Sequence, residues 1–200
     1  MKLYSFSTPN ARRACIAMEE AGVTYQLERI DLMAGQQHAP EFRAISPIEK
    51  IPVLLDTDSG ATLYGSGAIV LHIAYKTGKL LPAAPVARAK ALEWFMLGAS
   101  DLSPSSSVCY VIDNFLKGDN HEVRGVYADE MKKIFTAIDT RLDGRDYLAD
   151  EFSIADIQCY PYADAPANKP MVTGRYPRME AWMERMAARP AVARGMRAPG

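Results

Sequence analysis

Three groups of residues in this chain have types and spacings suited to chemistry. Ser7, Thr8 and Asn10 lie where a short first strand, Lys2 to Phe6, hands over to a helical pattern. Hydroxyl and amide donors at a helix N-terminus can stabilise a developing anion without carrying charge, although the same residues also serve as ordinary caps. Ile51-Pro52 precedes the apolar run Val53-Leu54-Leu55. A cis bond there would turn the backbone N–H and C=O of Ile51 outward, where an extended peptide could pair with them; a trans proline opening a plain strand fits the same letters. Ser66 stands at the start of a second helical pattern. It is expected to cap that helix, and with the free N–H groups of the first turn it would form a site for a carboxylate.

These residues need elements to hold them. Ala11, Ala14, Cys15, Met18 and Ala21 recur at helical spacing, and Gly22 ends the run. Thr24 to Leu32 reads as a second strand, and Pro40-Glu41-Phe42 begins a brief helix. Val53 to Leu55 and Ala61 to Leu63 flank the turn Asp58-Ser59-Gly60, and Ala68 to Tyr75 is helical. The order β-α-β-α-β-β-α over residues 1–80 predicts a small mixed sheet with helices on both faces. A proline-containing linker follows at 78–85. Beyond it strand signals vanish, and residues 86–200 read as all-helical. Ser103 to Ser107 is expected to interrupt the helix that begins at Val86, and Ser153-Ile154-Ala155-Asp156 has the spacing of a capping box.

Composition excludes several classes. Of 200 residues, 23 are basic and 24 acidic, which argues against a nucleic-acid partner. No apolar run is long enough to span a bilayer, and the N-terminus has no leader pattern, so no membrane is expected. Three cysteines, at 15, 109 and 159, without a C-x-x-C pair, argue against a disulfide framework and point to a reducing cytoplasm. Cys15 and Cys159 read as packing residues, and Cys109 as packing or cleft wall. His38, His72 and His121 have no ligand spacing, so no metal is expected.

The strings S-P-x-x-K-I-P-V-L and L-Y-x-S-x-A-I, at 46–54 and 63–69, resemble the glutathione-binding half of the glutathione transferases. Y-L-A-D-E-F-S-I-A-D-I at 147–157 and Y-P-R-M-E-A-W-M-E-R-M-A-A-R-P-A-V at 176–192 are similar to two segments of that family's helical half. The resemblance covers nearly the whole chain. S-T-P-N at 7–10 and D-L-x-x-G-Q-Q at 31–37 look most like the bacterial Nu class. The resemblance implies a thioredoxin-like N-terminal domain at 1–80, an all-helical domain at 86–200 and a homodimer. It also implies glutathione as cosubstrate.

Glutathione chemistry needs a thiolate, and a thiol pKa of about 8.5 must fall. A drop of two units corresponds to roughly 2.7 kcal/mol of preferential stabilisation. The resemblance to the Nu class makes Thr8 and Asn10 the thiol contacts, whereas theta- and delta-like proteins would give Ser7 that role. It also implies that Ile51, beside a cis Pro52, pairs with the cysteinyl part. Ser66 would hold the γ-glutamyl carboxylate, and Gln37 and Lys50 would sit near the glycyl end, though a loop glutamine and a surface lysine explain those two as well. The family usually has an acid or glutamine before the serine; here Gly65 occupies that position, which leaves the γ-glutamyl ammonium without its usual partner. Trp94, Phe95 and Tyr110 are candidates for an acceptor pocket or for core. Conjugation to electrophiles, as in detoxification, and glutathione-dependent disulfide reduction both fit, with a non-enzymatic binding or interaction module as the rival.

Overall fold

The computed structural model describes residues 1–198. Its chain forms two compact units, one made of Met1–Leu81 together with residues 188–198, the other of Pro82–Ala187. The first unit has the expected order: β1 (Lys2–Ser5), α1 (Pro9–Ala21), β2 (Gln26–Arg29), α2 (Pro40–Arg43), β3 (Val53–Asp56), β4 (Ala61–Tyr64) and α3 (Ser66–Thr77). The sheet order is β2-β1-β3-β4, with β1 and β2 parallel and the other pairs antiparallel. This is a thioredoxin-like mixed sheet. β2 is shorter than the apolar pattern from Thr24 to Leu32 suggests, because β1 offers only four residues to pair with it.

Strand alternation separates two faces. Leu3 and Ser5 are buried, whereas Lys2 and Tyr4 point the other way and are half-buried. On that second face Tyr4 packs edge-on against Phe42, with Ile30, Val53, Ile45 and Ile51 around them. The helix α1 is buried on nearly every side, through Ala11, Ala14, Cys15, Ile16, Ala17, Met18 and Ala21, all 4% exposed or less. Small side chains let neighbouring backbone approach closely. One close approach comes from α10 (Pro190–Arg197): a Cβ at Gly195 would lie 2.6 Å from the Ile16 Cα. Arg189 grips Glu20 through two bonds of 2.7 and 2.8 Å, and Arg194 reaches Glu19 at 2.6 Å. The terminal segment, read from sequence as part of the helical domain 86–200, thus packs within the first unit.

The second unit is helical. The helix α4 (Pro85–Leu97) runs through one π-helical turn, Gly98–Leu102, into α5 (Ser103–Phe115). The serine run does not break the helix, contrary to expectation. Its hydroxyls are taken up internally: Ser103 donates to the Tyr162 hydroxyl at 2.9 Å, and Ser106 accepts from Asn168 Nδ2 at 2.8 Å. The irregularity falls one turn earlier, where Gly98 presses on α7 (Ile154–Ala163); a Cβ there would meet Gln158 at 2.8 Å. Between them run α6 (His121–Arg141) and, after α7, α8 (Lys169–Val172) and α9 (Pro177–Ala188). Ser153 caps α7, and its reciprocal partner Asp156 accepts from the backbone N–H groups of Ser153 and Leu148 and from Trp182 Nε1 at 2.9–3.1 Å. Asp156 is fully buried, and burial pushes its carboxyl up to about 6 against the pull of those donors.

One polar cluster anchors the β3–β4 hairpin to α3. The buried Asp56 carboxylate accepts from Lys76 at 2.7 and 2.8 Å, from Ser59 at 2.8 Å, and faces His72 Nε2 at 2.8 Å. Burial works to raise this carboxyl, but Lys76, His72 and Ser59 outweigh it and hold it well below the usual carboxylate range. A depressed folded pKa gives stability that is present above the unfolded value and is lost as pH falls below it. Asp56→Asn should therefore lower the urea midpoint at pH 7. The wild-type advantage should shrink as pH drops below about 4. An advantage of equal size at pH 7 and at about pH 2.5 would show that the charge of Asp56 contributes nothing.

Candidate functional site

The polar groups converge where β1 hands over to α1. Thr8 is the N-cap, with extended backbone (φ −134°, ψ 155°), and its hydroxyl accepts from the Ala11 N–H at 3.3 Å. Pro9 follows at the first helical position, where a missing N–H costs nothing. Ser7 is exposed, and its hydroxyl accepts from Arg12 at 3.3 Å. Asn10 is half-buried, and its Oδ1 accepts from Arg13 Nη1 at 2.9 Å and from the Ser66 hydroxyl at 3.2 Å. That last bond joins the N-termini of α1 and α3 across 56 residues of sequence.

Ser66 differs from its expected role. It is the first residue of α3, and Gly65 occupies the cap position with φ 90° and ψ 126°. The Ser66 hydroxyl faces Asn10 and makes no capping bond to its own helix. The reason is geometric: a turn entered through positive φ places the glycine, not the serine, at the helix boundary. The first-turn N–H groups remain directed out of α3, as they are in any helix.

The Ile51-Pro52 bond is cis. Pro52 is buried, and its carbonyl accepts from the Gly65 N–H at 3.2 Å, tying this loop to the start of α3. Ser46 closes the preceding turn, donating to the Lys50 carbonyl at 2.9 Å and accepting from the Lys50 N–H at 3.2 Å. Glu49, at φ 55°, pairs with His38 and, at 2.7 Å, with Arg43. The His38 contact, then the Arg43 charge, hold its carboxyl below the usual range. Gln37 Nε2 lies 3.0 Å from His38 Nε2, so Gln37 and the Lys50 turn belong to one connected loop system. The Gln37 Oε1 is buried without a partner among the described residues.

Ser7, Thr8, Asn10, Gln37, Lys50, Ile51, Pro52, Gly65 and Ser66 all fall in the first unit. Sequence reasoning missed Arg13, a fully buried cation (1% exposed) supporting Asn10. The only available signal was a charge on a helix face otherwise lined by Ala and Met. It also missed Glu49 and Ser46, which shape the loop before Pro52. The candidates for an acceptor pocket divide. Trp94 and Phe95 are 8% and 2% exposed and belong to the core of the helical unit, whereas Tyr110 is 53% exposed. An apolar groove of about 410 Å³ lies instead between α5 and the start of α6, lined by Val108, Val111, Ile112, Leu116 and Val123 with Ser107 and Asn120. Among the described residues no cluster of three His, Cys, Asp or Glu side chains could hold a metal.

Gly65 is open to a test. A Cβ there would touch nothing within 4 Å, so any penalty for a side chain comes from the backbone conformation alone. Gly65→Ala should cost about 1 to 3 kcal/mol in urea unfolding. Gly65→Glu should cost a similar amount, which separates the backbone effect from any gain a carboxylate could bring to a ligand. An unchanged midpoint in both variants would mean that the turn relaxes freely.

The model of the Glutathione S-transferase N-terminal domain matches residues 1–75, and that of the C-terminal domain matches 106–190. Among curated relatives, the disulfide-bond oxidoreductase YfcG of Escherichia coli (strain K12) is 32% identical, covering 97% of this chain and 93% of that protein. Glutathione S-transferase 3 of Zea mays is 31% identical over 96% of this chain and 90% of its own length. A crystal structure of a glutathione transferase from Pseudomonas putida, with one glutathione disulfide bound per subunit, superposes with a TM-score of 0.93 at 30% identity, covering 100% of this chain and 91% of that one. The chain belongs to the glutathione S-transferase family.

Proposed function

We propose that this protein is a glutathione-dependent enzyme that works through the thiolate of bound glutathione, as a transferase to electrophiles or a reductase of disulfides. The observation that carries the reading is the junction of Asn10 with Ser66, which sets a helix N-terminus and an amide beside a second helix N-terminus. One end suits a thiolate and the other a carboxylate. The backbone N–H and C=O of Ile51, unused by the fold among the described residues, supply the pairing edge between them. Thr8 and Asn10 are assigned to the thiol, with Ser7 the next candidate. Gln37 and Lys50 are assigned to the glycyl end, Ile51 and Pro52 to the cysteinyl part, and Gly65 and Ser66 to the γ-glutamyl group.

Disulfide reduction is the favoured chemistry. Its sulfur nucleophile has to come from the ligand, because Cys15, Cys109 and Cys159 are all buried and none is in a disulfide among the described residues. Burial pushes the Cys15 thiol up to about 12 and raises that of Cys109. In the first step the glutathione thiolate attacks a disulfide, forming a mixed disulfide and releasing one thiolate. A second glutathione thiolate then displaces the other, giving glutathione disulfide and two thiols once protons are taken up. The E. coli relative described as a disulfide-bond oxidoreductase and the glutathione disulfide in the P. putida neighbour support this choice. A Nu-class affiliation, a homodimer and a cytoplasmic setting complete the proposal.

Three measurements test it. Millimolar glutathione should raise the melting temperature by mass action, by an amount that grows with the logarithm of its concentration. Asn10→Ala or Thr8→Val should move the ultraviolet thiolate signal of bound glutathione to higher pH, by on the order of one unit for a lost donor. An unmoved signal in both, with a shift in Ser7→Ala, would transfer the role to Ser7. Replacing Cys15, Cys109 and Cys159 together by alanine should leave disulfide reduction within about twofold of wild type, given that buried thiols are inert. Abolished turnover in a folded triple variant would make a protein thiol the reactive group.

A further inference from the structure

We propose that Arg12 is a specificity-determining residue that selects an acidic acceptor, a disulfide carrying a carboxylate close to its sulfur. The inference rests on the glutathione-dependent disulfide reduction read above and names the substrate class for it.

The start of α1 carries a charge that the fold does not balance. The first turn holds no acid, although it is the positive end of the helix dipole, and Arg12 stands there as a cation. The acids of α1, Glu19 and Glu20, lie about 10 Å or more further along the helix. They are engaged by Arg194 and Arg189. Lys2, Arg29, Arg43 and Lys76 in the same unit each meet a carboxylate at 2.7–3.4 Å. Arg12 meets none among the described residues. Its Nη2 donates to the Ser7 hydroxyl at 3.3 Å, and its Nε N–H, shielded from solvent, has no acceptor. The guanidinium is thus packed at its inner end and open at its outer end, where the Ser7 contact is solvent-exposed. An anion placed beside it would offset the cost of a cation at this end of a helix.

Glutathione itself leaves no charge over for Arg12. The glycyl carboxylate is assigned to Gln37 and Lys50, the γ-glutamyl group to Gly65 and Ser66, and the thiolate to Thr8 and Asn10. With 3.6 residues per turn, Asn10 and Arg12 leave α1 on nearly opposite sides, and Asn10 faces Ser66. Arg12 and Ser7 therefore lie past the thiol, on the side away from the tripeptide. The acceptor belongs on that side, because displacement at sulfur is in line: the attacking thiolate, the sulfur it bonds and the sulfur that leaves share one axis. A new S–S bond joins glutathione to one half of the disulfide. The old S–S bond breaks, and its electron pair departs with the other half as a thiolate, which takes a proton from water. Glutathione as thiolate carries two net negative charges, so an acidic disulfide is repelled unless a cation stands beside it. The planar guanidinium of Arg12 supplies that cation and pairs readily with a carboxylate.

The test is glutathione-dependent reduction of three disulfides of similar length: 3,3′-dithiodipropionate, 2-hydroxyethyl disulfide and cystamine, which carry carboxylates, hydroxyls and ammoniums. Each kcat/KM is divided by the rate constant for free glutathione, which removes differences in intrinsic reactivity. Wild type should favour the acidic disulfide over the neutral one by about fivefold, the upper end for a partly exposed ion pair, and should rank the cationic one last. The preference should reside in KM and shrink toward about 1 M salt, where charges are screened within about 3 Å. Arg12→Gln should erase the ranking, Arg12→Lys should keep its order, and Arg12→Glu should invert it. If Arg12→Gln slows all three disulfides by one factor and moves the ultraviolet thiolate signal of bound glutathione to higher pH, Arg12 serves the thiolate and the proposal is overturned. If the Arg12 variants do not fold, wild type decides alone. A ranking absent or indifferent to salt then overturns the proposal, while glutathione binding by calorimetry leaves the reading above standing. Wild type that binds no glutathione, or reduces none of the three, sinks that reading and this proposal with it.

Discussion

The first unit depends on the burial of α1. Its alanines leave no bulk on either flank, so α3 can approach from one side and α10 from another, and the sheet closes the remainder. A helix held on so many sides has little freedom to slide or rotate, since a packed interior resists displacement by even a methylene. Rigidity of this kind matters because the groups that would stabilise a thiolate, Thr8 and Asn10, sit on its first turn. Electrostatic stabilisation is effective in proportion to how little the donors must reorganise. The buried Arg13 extends the same logic inward: a cation with no route to solvent keeps its hydrogen-bond partner in one orientation.

Much of this architecture was legible in the letters because its signals are local. The helical period of Ala11 to Ala21, the glycine at 22, the turn at Asp58-Ser59-Gly60 and the Ser153-x-x-Asp156 spacing each encode a feature within a few residues, and each appears in the fold. What failed was decided by contacts distant in sequence. The serine run from 103 reads as a break because serine competes for backbone groups, yet Tyr162 and Asn168, more than 55 residues away, occupy those hydroxyls and leave the helix intact. Trp94 and Phe95 could equally have lined a pocket; only the packing of α4 against α7 shows them as core.

The candidate site was legible in outline. Pro52, Ser66 and the Ser7 to Asn10 segment stood out by residue type, but their mutual bonding did not. Ser66 was expected to cap its helix, and the positive φ of Gly65 moved the cap by one residue. The side chain thereby became free to reach Asn10. Nothing in the spacing of 56 residues announces that bond, nor does any pattern announce the buried arginine that meets the Asn10 amide oxygen.

The return of α10 to α1 bears on the order in which the molecule is made. Residues 1–81 leave the ribosome with β1 to β4 and α3 complete, but with one flank of α1 uncovered. The surface that Gly195 will meet, around Ile16, stays open while the whole helical unit is synthesised. At about 5 to 20 residues per second, that interval lasts on the order of ten seconds. The thioredoxin-like unit is thus contiguous in space but split in time, its α10 component being translated only after the whole helical unit. A ribosome that stalls within the helical unit would leave a chain whose α1 is formed but not yet held in place.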